Sequence, residues 1–349
     1  MNRADGIALL RHRAALARER LRAQWNTPPD ASRDVPFPWV VTGLGSSEAH
    51  ARYFVALANR VQPGAATFVP TAAFAVQALP AQTATAALIV FTQGLSANAR
   101  IALAQRSGFR ETVLFTATTR ESLARADKGE AARLLEQLER EGAVCIPTAE
   151  TDEYTILLRV IGPLCGYLSA LQWWSAQRPG AIAPLSDEAW GSLFTALDRI
   201  PPAELRTLAD DFTRGVEYNF ASAEAEYAQN LAFKRVEGLF LPEPVRRDLL
   251  QFAHGPFQQN IASATTQWIF ASSDTEETTL SEHLWPMFAR LAEPTRLLRA
   301  PLPAPYSILY YEMLLNEVLL TAIDACPHCQ ANWPGKGLDS EGYALDRPL

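Results

Sequence analysis

The sequence predicts a double α/β protein: two three-layer α/β/α halves on parallel sheets, the second half reduced. Three observations carry that expectation. Residues 86–92 (AALIVFT) form an unbroken apolar run, the mark of a strand covered on both faces. Strand and helix patterns alternate from residue 39 to residue 177, which implies right-handed βαβ units and a parallel sheet. The same plan returns, less cleanly, after residue 210. A chain of 349 residues has room for two domains at roughly 100–200 residues each.

The elements follow in order. Residues 3–25, rich in Ala, Leu and Arg, predict a helix. Residues 26–36 are a Pro/Asp/Ser linker. Short apolar runs place strands at 39–42, 65–70, 86–92, 111–116 and 144–147. Helical patterns fill 46–61, 72–79, 96–107 and 121–141, and a long apolar helix is expected over 155–177. Residues 178–202 are rich in Pro and Ala and carry an amphipathic segment, 187–199. They read as the crossover between the halves. In the second half, strands at 215–221, 267–272 and 295–299 alternate with helices at 223–239, 280–291 and 305–325. The tail from Pro327 reads as irregular. The expected division is 1–34 helix and linker, 35–177 first domain, 178–210 crossover, 211–326 second domain and 327–349 tail.

Composition narrows the function. Nearly half the residues are hydrophobic and a fifth charged, as in ordinary globular proteins. A net charge of −7, with no basic stripe interleaved with aromatics, argues against a nucleic-acid partner. The basic cluster at residues 11–22 reads as a solvated or interface face rather than a membrane contact. No apolar segment resembling a secretory signal precedes the first strand, and no run reaches the length of a membrane span. Four cysteines, Cys145, Cys165, Cys326 and Cys329, fit a reducing cytoplasm.

The chain is organised around residues 40–51, VVTGLGSSEAHA. A buried strand runs into a Gly/Ser turn, and a helix starts behind it. Gly43 and Gly45 permit a sharp turn. Ser46 and Ser47 bring hydroxyls to the helix start, where backbone N–H groups favour anions or sugar hydroxyls. A plain serine-capped turn is the bland alternative. The next strand ends likewise, in Phe91-Thr92-Gln93-Gly94-Leu95-Ser96. In an open parallel sheet both loops lie at the carboxyl edge, where ligands bind. Two hydroxyl-bearing loops there favour a polyhydroxylated or phosphorylated ligand.

These loops resemble the sugar isomerase (SIS) domain. Leu231-Ala232-Phe233-Lys234-Arg235-Val236-Glu237 and Gln251-Phe252-Ala253-His254-Gly255-Pro256 extend the resemblance. They are similar to the Lys-x-x-Glu helix and His-Gly-Pro turn in the isomerase half of glucosamine-6-phosphate synthase. The resemblance covers about residues 35–325. It implies two flavodoxin-like halves, a homodimer, and an aldose–ketose isomerase that uses neither metal nor organic cofactor. It also implies the site. Gly45, Ser46, Ser47, Thr92, Gln93 and Ser96 would hold the sugar phosphate. Glu237 would shuttle the proton, and His254 would open the ring, often in the neighbouring subunit's site. Glu150 and Thr155 fall where the family has a Glu/Ser/Thr loop. Lys336 sits roughly where the synthase keeps a Schiff-base lysine, at a different spacing.

Isomerisation needs a base near the reacting carbons and an acid–base pair for ring opening, which a carboxylate and an imidazole supply. Each also has a bland reading: Glu237 as a surface partner of Lys234 three residues before it, and His254 as a buried structural histidine. The sequence departs from the family at two points. Gly94 and Leu95 stand where Ser-Gly is usual, and the loop after the second half's first strand, 220–223, lacks glycine. An amino-sugar or unphosphorylated substrate, or binding in one half alone, would fit these changes. A deaminating or deglycating activity is a near variant. The rival readings are a sugar-phosphate-sensing regulatory module and a complex subunit docked through residues 333–349. Cys326-Pro327-His328-Cys329 lacks a second paired motif and is read as an exposed pair rather than zinc ligands. Trp173-Trp174 and Tyr310-Tyr311 are expected in the core or an interface.

Overall fold

A computed structural model describes residues 1–79, 83–125, 128–148 and 155–349. The chain forms two compact units. One comprises Glu19–Tyr154, Ile161–Ala183 and Pro334–Leu349; the other comprises Met1–Arg18, Thr155–Val160 and Pro184–Trp333. The first helix, α1 (Arg3–Trp25), gives residues to both.

The first unit runs β1 (Trp39–Thr42), α2 (Ser46–Val61), β2 (Ala66–Phe68), α3 (Thr71–Ala75), β3 (Ala87–Phe91), α4 (Ala97–Ala104), β4 (Glu111–Thr116), α5 (Arg120–Arg125), α6 (Gly129–Arg140), β5 (Val144–Pro147) and α7 (Gly162–Gln177). All five strands are parallel, in the order β2-β1-β3-β4-β5. That is the flavodoxin-like order, with its switch point between β1 and β3. Alternation along each strand divides the core in two. Val40, Leu88, Val90 and Leu114 pack on one face with Phe74, Ile101 and Leu135. On the other face Trp39 stacks on Phe54, and Phe91 on Phe115, with Trp173 packed edge-on to Phe115.

The second unit runs α8 (Asp187–Asp198), α9 (Pro202–Arg214), β6 (Val216–Phe220), α10 (Gln229–Leu239), β7 (Arg246–Asp248), α11 (Leu249–Ala253), α12 (Pro256–Asn260), β8 (Thr266–Ala271), α13 (Thr275–Phe288), β9 (Thr295–Arg299) and α14 (Ser307–Ala322). Its four parallel strands follow the order β7-β6-β8-β9, with the switch point between β6 and β8. The tail of the chain adds a short helix, α15 (Ser340–Tyr343), to the first unit.

Several expectations need correction. The long apolar helix begins at Gly162 with Pro163 in its first turn, where proline is favoured; the residues from Thr155 to Val160 belong to the other unit. The helix expected over 223–239 is a 3₁₀ turn, Ala223–Glu226, followed by α10. Strand β7, Arg-Arg-Asp, had no apolar run to announce it; charged, three-residue strands are typical of sheet edges. Residues 334–349 do not dangle. The Asn98 side chain donates to the carbonyls of Gly342 at 2.7 Å and Leu345 at 2.9 Å, and the Leu349 amide donates to the Ala75 carbonyl at 2.9 Å. Cys326 is buried, with its thiol 3.7 Å from the Leu239 carbonyl, so it is not half of an exposed pair. Trp173, Trp174, Tyr310 and Tyr311 are buried as expected.

Candidate functional site

In the first unit the loops after β1 and β3 flank the switch point. Gly43 is obligatory: a Cβ there would overlap the Ser47 carbonyl. Gly45 has φ +61°, in the left-handed region that glycine reaches without strain. It also occupies the N-cap of α2, and no side chain caps that helix. The Ser47 amide donates to the Leu44 carbonyl at 3.2 Å and the Glu48 amide to the Gly45 carbonyl at 3.0 Å. The turn thus uses two of the amides that the sequence suggested for a ligand. Ser46 is half-buried and Ser47 buried.

The second loop is braced from below. Thr118 Oγ1 donates to the Gln93 carbonyl at 2.9 Å, and Thr116 Oγ1 donates to the same carbonyl at 3.4 Å. Thr92 is buried at the end of β3, its amide on the Phe115 carbonyl at 2.9 Å. The Gln93 amide fills the space where a Cβ on Gly162 would stand. Leu95 adopts φ +46°, a conformation glycine takes more easily. Its side chain turns into the core beside Val90 and Ile101. The leucine side chain is therefore packed in the core and does not stand over the loop. Ser96 is the exposed N-cap of α4, its hydroxyl unused by the helix. Thr71, whose hydroxyl lies 3.4 Å from that of Thr42 and donates to the Gly43 carbonyl at 3.3 Å, supports the first loop. Sequence reasoning missed Thr71, Thr116 and Thr118; their signal was a threonine at each strand end or helix start along this edge.

His50, one turn into α2, points into the core of the first unit. It is buried against Tyr167 and lies over Gly166, with Nε2 2.9 Å from the Pro163 carbonyl. Burial pushes it down to about 4, so it is neutral at physiological pH.

In the second unit Glu237 lies in the last turn of α10, half-buried. Burial pushes its carboxyl up to about 7, while the charges of Arg159 and Lys234 pull it back down. Lys234 is not its surface partner. The Lys234 Nζ sits 2.7 Å from Glu312 Oε2, with both side chains out of solvent. His254 ends α11 and is exposed, so the buried structural reading does not apply to it. Thr155 is exposed and accepts a hydrogen bond from Arg13 at 2.7 Å. Lys336 is exposed in the tail segment of the first unit. Glu150 lies outside the described residues.

The carboxyl edge of the second sheet differs in kind. Glu277 accepts from the Ser272 amide in the turn after β8 at 2.8 Å, and Asp274 accepts from the Ala304 amide in the loop after β9 at 3.0 Å. Glu224, after β6, is fully buried and accepts a hydrogen bond from the Ser307 hydroxyl. Burial pushes Glu224 up to about 8; Ser307 opposes the rise, and Glu277 and Asp274 add to it. The fold therefore favours its neutral form, and folding takes up a proton between the ordinary 4.5 and about 8. This contribution to stability is whole below about 4.5 and is lost as pH rises toward about 8. Glu224→Gln keeps an acceptor for Ser307 and removes the dependence. Melts at pH 5 and pH 8 should show wild type losing more stability than the variant, by up to about 1.4 kcal/mol per pH unit. Parallel pH curves would contradict a neutral Glu224.

Among the described residues, no group of three or more His, Cys, Asp or Glu side chains is placed to hold a metal ion. No described helix is long and apolar enough to cross a membrane.

No protein-family model and no curated protein sequence matches the chain. Solved structures do. The chain is similar to the C-terminal domain of glucosamine-fructose-6-phosphate aminotransferase from Francisella tularensis, at 9% identity and a TM-score of 0.64, covering 90% of this chain and 95% of that one. It is similar to tagatose-6-phosphate ketose/aldose isomerase from Escherichia coli at 14% identity and a TM-score of 0.64, covering 93% and 90%. Glucosamine-6-phosphate deaminase from Thermotoga maritima matches at 14% identity and a TM-score of 0.58, covering 95% and 98%. Likeness at these identities speaks for the fold: the sugar isomerase fold that the loops and motifs of the sequence resemble is the fold of this chain.

Proposed function

We propose that the protein is an aldose–ketose isomerase acting on a sugar phosphate or amino-sugar phosphate. The observation that carries this reading is Glu237, a half-buried carboxylate in the last turn of α10, whose burial pushes its carboxyl up to about 7. A group poised there serves both as base and as acid. As base, ionised Glu237 takes the proton from C2 of the open-chain sugar. As acid it returns that proton to C1 while the hydroxyl proton of O2 passes to O1, so the rearrangement through the enediol balances without a redox partner.

The five-stranded unit supplies the phosphate cradle. Gly45, Ser46, Ser47, Thr92, Gln93 and Ser96 bring hydroxyls, an amide and two helix starts to one sheet edge. The corresponding edge of the second sheet carries the carboxyl groups of Asp274 and Glu277, which disfavour a phosphate. Exposed His254 is assigned ring opening, delivered to a second copy of the chain in a homodimer. The names of the similar structures, a ketose/aldose isomerase and a deaminase of sugar phosphates, support the substrate class.

A thermal-shift panel of hexose, heptose and amino-sugar phosphates with their unphosphorylated parents tests the reading. A native-state ligand at a hundred times its Kd stabilises by about 2.7 kcal/mol. Stabilisation by a phosphorylated sugar, reduced by Ser47→Ala and Thr92→Ala, is the expected result. Stabilisation without any turnover would favour a sugar-phosphate sensor. No shift with any member would remove the sugar-phosphate reading.

A further inference from the structure

We propose that Gln330 is a positioning residue: its side chain staples the segment carrying Arg159 to the turn of α10 carrying Glu237. This rests on the catalytic reading of Glu237 above. Gln330 is fully buried. Its Nε2 donates to the Glu237 carbonyl at 3.0 Å and to the Gly238 carbonyl at 2.7 Å. Its Oε1 accepts from the Leu158 amide at 3.4 Å, and its own carbonyl accepts from the Leu157 amide at 3.0 Å.

One side chain thus closes the last turn of α10, where helix carbonyls lack partners within the helix. It holds that turn against the two residues that precede Arg159. The joint is tight. A Cβ on Gly238 would stand 2.6 Å from Leu319 Cδ1 and 3.3 Å from Leu158 Cδ2, so the segments touch at backbone distance. Arg159 is the charge that acts most strongly against the burial of Glu237. Its effect depends on separation, because attraction between charges falls with distance. Gln330 therefore reaches the proton shuttle without touching substrate, by fixing how near Arg159 stands to Glu237.

The test uses the full chain without substrate. Carbon-13 labelling of glutamate carboxyls, with Glu237→Gln as the reference, gives the titration midpoint of Glu237. Gln330→Met keeps the length and removes the side chain's three hydrogen bonds, leaving only the backbone bond from the Leu157 amide. It should raise the midpoint by half a pH unit or more, as should Arg159→Met. The double variant should match Arg159→Met alone, since Gln330 acts through Arg159. A Gln330→Met midpoint equal to wild type, or two shifts that add, would overturn the proposal.

Hydrogen exchange on wild type needs no variant. The Leu157 and Leu158 amides should open together with those of Phe240 and Leu241, which bond back to α10, and with the same denaturant dependence. Opening of Leu157 and Leu158 at far lower free energy would sink the staple even if Gln330→Met failed to fold. Neither readout depends on catalysis. Retained turnover in Glu237→Gln would refute the function and leave the staple standing.

Discussion

Glu237→Gln lowers turnover of the sugar phosphate selected by the melting panel by about 10²–10⁴-fold, the range that general acid–base groups supply. Ligand-induced stabilisation should survive, because the amide keeps the shape of the carboxyl and the cradle residues are untouched. The pH profile carries a second signature. The proton is first abstracted by the ionised form, and burial pushes the Glu237 carboxyl up to about 7. In wild type kcat/KM should therefore fall about tenfold per pH unit below pH 7 and level off above it. Full activity in the variant, or a wild-type profile flat from pH 5 to 8, would mean another group moves the proton. Steady-state kinetics across that range decide the matter.

Breaking the pair beneath Glu237 should cost more stability than any surface change. Lys234 and Glu312 lie 2.7 Å apart with side chains 1% and 0% exposed, joining α10 to α14. Burial pushes the Glu312 carboxyl up, and Lys234 draws it back down. Glu312→Gln leaves the buried Lys234 ammonium without its partner at 2.7 Å, a loss of about 3–5 kcal/mol. Lys234→Met costs less, because Glu312 can then take up a proton. The double variant Lys234→Met/Glu312→Leu should return most of the stability, since well-packed apolar replacements often match a buried ion pair. Denaturant unfolding of the four proteins gives the comparison. A Glu312→Gln midpoint equal to wild type would show that the pair does not hold α10.

The two variants separate chemistry from support. Lys234 and Glu237 sit three residues apart on one helix. A sequence reading makes them a surface pair. In the fold, Lys234 points into the core while Glu237 remains half-buried. A helix turns about 100° per residue, so residues three apart share a side of it. Which of the two meets solvent is set by what α14 places opposite: Glu312 takes Lys234.

The local pattern of the chain determined the parallel α/β architecture, both hydroxyl-bearing loops at the carboxyl edge of the first sheet and the helix that carries Glu237. Apolar runs and Gly/Ser turns follow from backbone sterics and burial, which act over a few residues and are written in a few residues. Tertiary structure decided the rest. Leu95 directs its side chain into the core, an outcome the residue type did not give. His50 is buried and neutral although it lies one turn from the Gly/Ser loop. Glu224 looks like any acidic residue in sequence, and it is buried at the carboxyl edge of the second sheet. Gln330, ninety-three residues from Glu237, holds its carbonyl. The energies of burial and charge depend on neighbours brought together by folding from far along the chain. Sequence spacing therefore names the chemical groups, and the packed structure decides which of them is buried, paired or poised to carry a proton.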